Sequence, residues 1–568
     1  MAAGAVGRPP FLGRPALPRR PLVALAALAA SLLVVTPAGT SNGPVVTVTH
    51  ALSGLGDAAS GGYEPPDVSV AAGPGFVVEL VNLAERVWTA GGGTPVRVQT
   101  RALALVFGSG DDRLTDPRVL YDAATGRFFA SVSDVERRAV LLAVSSGADP
   151  GGAWTVSSLP AGGCADQPRV GTGDDVVVVA ADVFDGCEVD SSRLLGAELW
   201  TVNKAELVAG STTPDVATFG PTGGYTSLTP AQSLSSTATV YVVSVDQRAS
   251  RVVHLLTVDG VPPASVAVQE VAAPAITPLL RPPPATQPPG SGLPPPIATN
   301  DNRVLDAVWE NGSLWFTANA RCSPPGDPLP RSCGRVAELA TANGTVVWQT
   351  DLAAAGAHVF YPAVRPDAHG NLVIVAGESG VTVSLRLVVF GRTADGILTP
   401  PAVIAASADA YRGDRYGDYF SAARDPSDGD VVWVGGEAGT DGLGRGGWST
   451  DVASVVVTPA GSTPPAVAGL APPGVRALGT IVRRGATVTL AYRALGDGDA
   501  VQAVVTVENS KKAVVYRTTT PKRALRSRRR YVVKWPAKKA RGAFTFCVRT
   551  RSITGMQSPR SCAAITVR

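Results

Sequence analysis

The 568-residue chain carries 50 lysine and arginine residues against 46 aspartate and glutamate residues, which gives a formal net charge of +4. It has six cysteines and four histidines, and neither a C-x2-C spacing nor an H-E-x-x-H pattern occurs. These features exclude the common zinc sites, and so few histidines leave no Ser-His-Asp or Cys-His arrangement to assemble. No metal and no cofactor is therefore predicted.

The N-terminal segment has the pattern of an export signal. Four arginines without any acid precede the apolar run PLVALAALAASLLVV (21–35), and the small residues Thr36 and Ala38 follow it. The run is short for a membrane span but typical of a signal-peptide core. Residues 1–38 are predicted to be a signal peptide, with an uncleaved anchor as the alternative. We therefore expect a secreted or cell-surface protein without a membrane span once the signal is removed.

A sequence pattern, here called a phrase, predicts two strands joined by a turn and recurs along the chain. Residues 116–132 read DPRVLYDAATGRFFASV and residues 166–181 read DQPRVGTGDDVVVVAA, each a short strand, a turn cluster and a second strand. Looser copies begin at Pro65, Leu228, Asn302, Tyr361 and Asp418. An Asn-Gly step between two such runs, as at 311–312, is typical of a hairpin. Further strand-like runs follow each hairpin, and units of three or four strands describe propeller blades.

Seven copies predict an all-β fold in which residues 45–458 form a seven-bladed β-propeller, although six or eight blades also fit the uneven spacing. One blade cannot bury both of its faces, so blades must stack around a ring. Every inner strand then meets similar surroundings, which select similar residues. VVTVTH (45–50) precedes the first copy and is predicted to close the ring on the last blade.

Two stretches interrupt this rhythm. Residues 261–299 include RPPPATQPPGSGLPPP, which is too rich in proline for a sheet interior. We predict an extended surface loop between the fourth and fifth units there, with an interdomain linker as the alternative. Residues 459–475, PAGSTPPAVAGLAPPGV, are predicted to be a linker.

Residues 476–568 are predicted to form a separate β-sandwich of the immunoglobulin or fibronectin type III kind, because six or seven short runs alternate apolar and polar residues. Within it, residues 511–551 hold fifteen basic residues and no acid, whereas the rest of the chain after residue 38 holds 31 basic and 46 acidic residues. The basic stripe is interpreted as a patch for anionic envelope polymers, built on Arg528, Arg529, Arg530, Lys538 and Lys539. A solvated face, or one that docks on the acidic propeller, is the alternative.

Nucleic acid is not an expected partner of this stripe, because only Tyr531 and Trp535 interleave with its cations.

The cysteines fall into three local pairs. An even number in an exported chain favours disulfides, here Cys164–Cys187, Cys322–Cys333 and Cys547–Cys562.

Several of these phrases together resemble secreted bacterial β-propeller proteins. They are DPRVLYDAATGRFF, NDNRVLDAVWENGSLWF, FYPAVRPDAHGNLVIV and RYGDYFSAARDPSDGDVVWVGGE, and the resemblance spans roughly residues 60–455. Residues 542–567 are similar to the end of bacterial fibronectin-like modules, but depart from their usual pattern at 552–557. The resemblance implies a propeller fold and an exported protein, and it implies no particular chemistry.

Candidate ligand-binding residues come from the starts of the inner strands, which a propeller brings to one mouth of its central channel. Mixed acidic, cationic and phenolic groups there suit a polar ligand such as a glycan or a peptide. The predicted set is Asp116, Arg118, Asp166, Arg169, Asp301, Arg303, Tyr361, Arg365, Asp418 and Tyr419.

Two functions follow from this pattern. The first is an exported binding protein, whose propeller presents the polar pocket and whose sandwich spaces or anchors it. The alternative is a secreted sialidase-like or other carbohydrate-active hydrolase, which would use the arginines with Tyr361, Tyr416 or Tyr419 and Glu437. The sialidase turn Ser-x-Asp-x-Gly-x-x-Trp is missing, and the arginines and tyrosines equally fit links between blades. The sequence therefore leaves enzyme activity open and inclines against it.

Overall fold

The computed structural model describes residues 43–91, 94–110, 112–188, 192–245, 251–289, 294–407, 410–413, 415–439, 447–464, 475–478, 480–482, 487–494, 498–521, 523–525, 529–536, 541–551 and 560–567. The predicted signal peptide lies outside these residues. No helix among them is long and apolar enough to span a membrane.

The propeller begins with β1 (Val45–Gly56), a short 3-10 turn (Asp57–Ala59) and three blades in chain order. Each blade is a sheet of four consecutive antiparallel strands, the first of them innermost. The first blade contains β2 (Ser69–Gly73), β3 (Phe76–Val81), β4 (Ala84–Thr89) and β5 (Val96–Ala102). After α1 (Leu103–Phe107), the second contains β6 (Leu114–Asp122), β7 (Arg127–Asp134), β8 (Ala139–Ser145) and β9 (Trp154–Pro160). The third contains β10 (Cys164–Thr172), β11 (Val176–Phe184), β12 (Leu194–Asn203), the helix α2 (Lys204–Val208) and β13 (Val216–Thr222).

The fourth blade has a shortened inner strand. It contains β14 (Thr229–Pro230), then β16 (Val240–Val245), β17 (Val253–Asp259) and β18 (Ala267–Ala272). Between the first two lies β15 (Gln232–Ser233), which pairs in parallel with β10 and with β19 (Val304–Glu310). The segment thus joins the inner strands of the third and fifth blades beside the axis.

Three further blades complete the ring. The fifth contains β19, β20 (Ser313–Cys322), β21 (Arg331–Ala340) and β22 (Thr345–Leu352). The sixth contains β23 (His358–Pro366), β24 (Leu372–Gly380), β25 (Val383–Arg392) and β26 (Ala402–Ala406). The seventh contains β27 (Ser421–Arg424), β28 (Val432–Gly439) and β29 (Ser449–Thr458), with β1 as its outermost strand. The predicted seven blades and the closing strand at residues 45–50 are confirmed.

A residue in the left-handed region opens most of the inner strands and explains the repeated phrase. The φ angle is 54° at Asp67, 58° at Asp116, 49° at Gln167, 50° at Ser227 and 55° at Tyr361. The strand register shifts directly beside three of these residues, which marks a β-bulge at the start of the strand. Positive φ is unfavourable for residues other than glycine, so its recurrence points to a stabilising contact at each position.

A side chain from the preceding blade supplies that contact at three junctions. Asn82 Oδ1 accepts a hydrogen bond from the backbone N–H of Asp116 at 2.8 Å. Asp182 Oδ1 accepts one from Ser227 at 2.6 Å, and Asn319 Oδ1 accepts one from Tyr361 at 2.7 Å. These clasps satisfy buried backbone groups and align one blade with the next.

Apolar side chains fill the spaces between blades. Phe129 and Leu142 of the second blade pack with Val177 and Trp200 of the third, and all four side chains are almost fully buried. Fully burying a side chain of this kind contributes about 1.5–3 kcal/mol, so the stacked faces are the main stabilising term. The hydrophobic runs of the sequence therefore form interblade layers.

The proline-rich stretch 261–299 differs in part from its prediction. Residues 267–272 form β18, the outer strand of the fourth blade, where a loop was expected. The described remainder does connect the fourth and fifth blades, but Leu279, Ala285 and Ile297 are buried. Proline lacks a backbone donor but buries apolar surface well, so this segment packs on the propeller without pairing as a sheet.

Residues 475–567 form two further sheets. One contains β30 (Val475–Leu478), β32 (Val488–Ala494) and β36 (Arg530–Trp535). The other contains β31 (Thr480–Val482), β33 (Gly498–Asn509), β34 (Val514–Thr519), β35 (Arg523–Leu525), β37 (Gly542–Arg551) and β38 (Ser561–Val567). Both contribute to one apolar core that includes Leu490, Tyr492, Val505 and Phe546. The β-sandwich is as predicted, while its module class and the domain boundaries stay predictions.

All three predicted disulfides are present. Cys164–Cys187 ties the first two strands of the third blade, and Cys322–Cys333 ties the middle strands of the fifth. Cys547–Cys562 joins directly opposed residues of β37 and β38. Cys187 lies just after the end of β11, and the other cysteines lie within strands, so each pair joins segments that follow one another in the chain.

Candidate functional site

Acidic side chains from five blades converge at the end of the channel where the inner strands begin. We define the axial cluster as Asp67, Asp116, Asp166, Asp301 and Asp418. Hydrogen bonds link its surroundings across the ring: Gln167 Nε2 donates to Asp418 at 3.2 Å, and Asn300 Nδ2 donates to Asp418 at 2.7 Å. Residues up to 251 positions apart in sequence therefore meet at one mouth of the channel.

Asp67 and Asp116 are buried carboxyl groups of the cluster, and each of them shifts the pKa of the other. The side chain of Asn82 donates to Asp67 Oδ2 at 2.7 Å while its oxygen binds the Asp116 N–H. Burial raises the pKa of Asp67 well above its usual range, and the charges of Asp418 and Asp116 raise it further. Burial and Asp418 also raise the pKa of Asp116, against the opposing effects of a hydrogen bond with Thr115, the charge of Arg415 and a hydrogen bond with Asp67. Asp67 is thus the member that holds the proton.

Asp166 and Asp301 have opposite protonation preferences within the same cluster. Burial, together with the charge of Asp116, raises the pKa of Asp166 to about 7, against the opposing effect of Arg303. At Asp301 burial acts in the same upward direction, but the charge and hydrogen bonds of Arg303 outweigh it and lower the pKa. Arg303 donates to both Asp301 oxygens, at 2.8 and 2.7 Å. The carboxyl of Asp166 is therefore about half protonated at neutral pH, whereas that of Asp301 is ionised.

These two acids are also accessible. Asp166 is partly exposed, and the side chains of Asp301 and Arg303 are 21 % and 20 % exposed. Arg303 Nη1 donates to Gln167 Oε1 at 2.9 Å, which fixes the guanidinium between the third and fifth blades. A ligand at this mouth would reach Asp166, Asp301 and Arg303 before the buried pair.

Arginines occupy the channel below the acids. Arg118 lies 3.4 Å from the centre of the Tyr419 ring and donates to the Leu305 carbonyl at 3.3 Å. Arg169 is 2 % exposed and donates to Gln167 Oε1 at 3.0 Å. Both line a small cavity of about 40 Å³ on the axis. The channel is thus narrow here. Arg118 links the second blade to the fifth and the seventh, whereas Arg169 bonds within its own strand.

The tyrosines near this mouth are buried and bonded to the protein. The hydroxyl of Tyr361 donates to the Ala298 carbonyl and that of Tyr419 to the Pro117 carbonyl, both at 2.9 Å. Tyr416 donates to the backbone carbonyl of Glu437. Burial raises the pKa of all three phenols well above the usual range. A raised pKa opposes formation of a phenolate, so a sialidase-type tyrosine nucleophile has no support in this geometry.

The remaining predicted site residues lie elsewhere or outside the described chain. Arg365 is near the end of β23, so it lies away from the axial cluster. It lines the small mid-channel cavity together with Arg118 and Arg169, and it also lines a larger cavity at the other end of the channel. In the basic stripe, Arg529 and Arg530 are exposed. Arg528, Lys538 and Lys539 lie outside the described residues.

The structure adds residues to the site that the sequence analysis missed. Gln167 occupies the position of Asp116, since both are left-handed residues followed by proline and arginine. The phrases therefore align as Asp116-Pro117-Arg118 with Gln167-Pro168-Arg169. Asp67 is equivalent to both, and Arg415 reaches Asp418 from the 415–420 segment. Aligning the prolines, rather than the aspartates, would have shown this equivalence.

One other group of carboxylates lies close together among the described residues: Asp112, Asp134 and Glu136. Arg137 contacts Asp112 at 2.8 Å and Asp134 at 3.3 Å, and Arg113 contacts Glu136 at 3.8 Å. The arginines already supply positive charge there, so the group does not require a metal ion.

No family model matches the chain, and no curated protein matches its sequence. Among solved structures, a protein of unknown function from Dyadobacter fermentans is 12 % identical, with 73 % of this chain and 99 % of that chain covered and a TM-score of 0.34. The α-L-arabinofuranosidase Arb93A from Fusarium graminearum is 12 % identical, with 73 % and 98 % covered and a TM-score of 0.34. A sialidase from Trypanosoma rangeli is 12 % identical, with 85 % and 87 % covered and a TM-score of 0.30. These scores are too low to carry an argument about this chain's chemistry.

Proposed function

We propose that the protein is carbohydrate-active, with a glycan bound and hydrolysed at the axial cluster. The observation that carries this proposal is that Arg303 bonds Asp301, whose pKa is lowered, and also acts on Asp166, whose pKa is about 7. Glycoside hydrolysis uses two carboxyl groups in these two states, one to donate a proton and one to act while ionised. Asp and Arg side chains also provide the charged hydrogen bonds that sugar hydroxyls accept and donate.

In this mechanism Asp166 donates its proton to the glycosidic oxygen as the bond to the anomeric carbon breaks. Asp301 accepts a proton from the water whose oxygen bonds to that carbon, and Arg303 holds Asp301 in place. The products are the shortened glycan and a free sugar. Asp166 must be protonated and Asp301 ionised, so we expect hydrolysis to decline as the pH rises through about 7.

The test is hydrolysis of a panel of aryl glycosides and plant and bacterial polysaccharides by the purified protein. Replacing Asp166 with Asn removes the donor and should lower kcat about 100-fold or more, since general acid catalysis contributes that much. Asp301→Asn should do the same. Asp185→Asn, an exposed acid paired with Arg193 on the third blade, is the matched control and should leave kcat unchanged. Turnover that survives both site substitutions would contradict the assignment.

Glycan or peptide binding without cleavage is the second candidate function. Arg118, Tyr361 and Tyr419 each donate a hydrogen bond to a backbone carbonyl of another segment. These bonds make the wall of the channel rigid, and a rigid wall favours binding over catalysis by these side chains. A binding array run beside the hydrolysis panel separates the two. Saturable binding of a glycan that is never cleaved would select this second function.

We also propose that the protein works outside the cytoplasm and that the sandwich anchors or spaces the propeller. Three disulfides support an oxidising compartment. The exposed Arg529 and Arg530 support contact with an anionic envelope polymer.

A further inference from the structure

The channel has a second mouth, at the end where the inner strands finish, and this mouth opens into a cavity of about 450 Å³. Its wall contains the ends of several inner strands and β15, including Asp122, Gln232, Ser233, Glu310, Arg365 and Arg424. A cavity of this size suits a small organic ligand. It is much larger than the 40 Å³ space that the arginines leave at mid-channel.

Arg365 lies between this cavity and the small mid-channel space, lines both, and carries an unused donor. The residue is 7 % exposed. Its Nε donates to the Ala422 carbonyl at 2.7 Å, and Nη2 lies 3.5 Å from Asp306. Nη1 has no hydrogen-bond partner among the described residues. A buried guanidinium with a free N–H favours an anionic acceptor, because bonds of this kind between opposite charges are strong.

A second polar atom on the same wall is also unpaired. The Ser233 hydroxyl is buried and has no partner within the described chain. It lies on β15, which is held between β10 and β19 by backbone pairing. The hydroxyl is therefore carried on rigid backbone and can donate to, or accept from, a ligand in the cavity.

The carboxylates of the wall limit the charge that a ligand can carry. Asp122 pairs with the buried Lys204 at 3.0 Å, and Glu310 pairs with Arg424 at 2.8 Å. Asp174 accepts a hydrogen bond from Ser236 at 2.7 Å. These oxygens can still accept hydrogen bonds from ligand hydroxyls, whereas they repel a phosphate or any other highly charged anion. The wall fits one carboxylate and several hydroxyl groups.

We propose that this cavity binds a sugar acid, such as a uronic acid residue, with its carboxylate on Arg365 Nη1 and its hydroxyls toward Ser233 and the wall carboxylates. The site uses neither Asp166 nor Asp301 and lies at the other mouth. It therefore stands whether or not the axial cluster hydrolyses glycans.

The experiment is calorimetric titration of the full chain with glucuronate, glucose and acetate. Glucuronate should bind about ten-fold or more tightly than either control, since glucose lacks the carboxylate and acetate lacks the hydroxyls. Equal affinity for glucose and glucuronate would contradict the proposed contact between Arg365 and the carboxylate. Equal affinity for acetate and glucuronate would contradict the proposed contacts with the sugar hydroxyls.

Two variants locate the binding. Arg365→Gln should lower glucuronate affinity about ten-fold and leave that for glucose unchanged. Ala124→Trp fills the rim at an exposed position, so it should weaken binding even if Arg365→Gln does not fold. Asp166→Asn, at the opposite mouth, should leave glucuronate affinity unchanged. Binding that both Ala124→Trp and Arg365→Gln leave intact, or that Asp166→Asn abolishes, would place the sugar acid elsewhere.

Discussion

At the scale of single residues, the axial cluster shows how location rather than residue type sets the charge of an aspartate. Burial among other acids raises the pKa of Asp67, Asp116 and Asp166. Asp301, a few ångströms from Arg303 nitrogens, has a lowered pKa instead. The same side chain can therefore serve as acid or as base at one site, depending on whether a guanidinium faces it.

Stability should depend on pH through Asp166. Its pKa rises from 3.8 to about 7 on folding, so the folded state holds the proton more tightly. The stability that the protonated Asp166 contributes to the folded state is complete below pH 3.8, the pKa of the unfolded chain. It is lost as the pH rises through about 7, the pKa of the folded state. Asp166→Asn mimics the protonated form, so we expect equal melting temperatures near about pH 3, below both pKa values, and a more stable variant near about pH 8.

Scanning calorimetry at both values measures this difference. Asp185→Asn is the control, because that acid is exposed, and its effect should be small. If Asp166→Asn destabilised the protein equally at the two pH values, the raised pKa of Asp166 would be wrong.

At the scale of elements, the blades are held in register by polar clasps as well as by apolar packing. Asn319 belongs to the fifth blade, where its oxygen binds the N–H of Tyr361 in the sixth. Its amide donates to the Thr299 carbonyl at 2.9 Å, so one side chain also fastens the proline-rich segment. A short side chain thus fixes three segments of the ring.

Removing this clasp should destabilise the propeller. Asn319→Ala leaves the buried Tyr361 N–H and Thr299 carbonyl unpaired, each of which costs about 1–3 kcal/mol. Asn343→Ala is the matched control, since that asparagine bonds only within an exposed turn. Urea unfolding should show a loss of about 2 kcal/mol or more for Asn319→Ala and about 0.5 kcal/mol for the control. Equal losses would show that the clasp contributes no more than a surface turn.

At the scale of the whole molecule, two features organise the chain. β1 pairs with β29 over residues 45–56, so the N-terminal strand covers the edge of the last blade and closes the ring. The charges are also unevenly distributed, since the fifteen basic residues of 511–551 are not interrupted by any acid. An acidic propeller and a basic sandwich are therefore parts of one chain whose net charge is close to neutral.

If the basic stripe anchors the protein, its retention on an anionic surface should depend on salt. Arg528→Ser, Arg529→Ser and Arg530→Ser together should reduce retention on teichoic acid or anionic vesicles, because close cation contacts provide the attraction. Charges beyond a screening length of about 8 Å at 0.15 M salt contribute little. Substitution of Arg97, Arg113 and Arg127, three propeller arginines, is the control. Retention that neither salt nor the triple substitution changes would leave the stripe as a solvated face.

The sequence by itself determined the features that depend on neighbours along the chain. Asn311-Gly312 forms the predicted turn because both residues adopt positive φ between Glu310 and Ser313, which pair. The three disulfides were predictable for the same reason, since each joins segments that follow one another in the chain. Seven hairpin patterns favoured seven blades and left six or eight open, because every blade repeats one local unit but the spacing of the units is uneven.

Only the tertiary structure decided which acids meet and where the channel is open. Gln167 Nε2 bonds Asp418 across the ring, a contact between residues 251 positions apart that no local pattern predicts. Arg365 was grouped with the strand starts, yet eight residues of β23 carry it toward the other mouth. Protonation states likewise depend on groups more than a hundred residues apart, because burial and charge act through space and not along the chain.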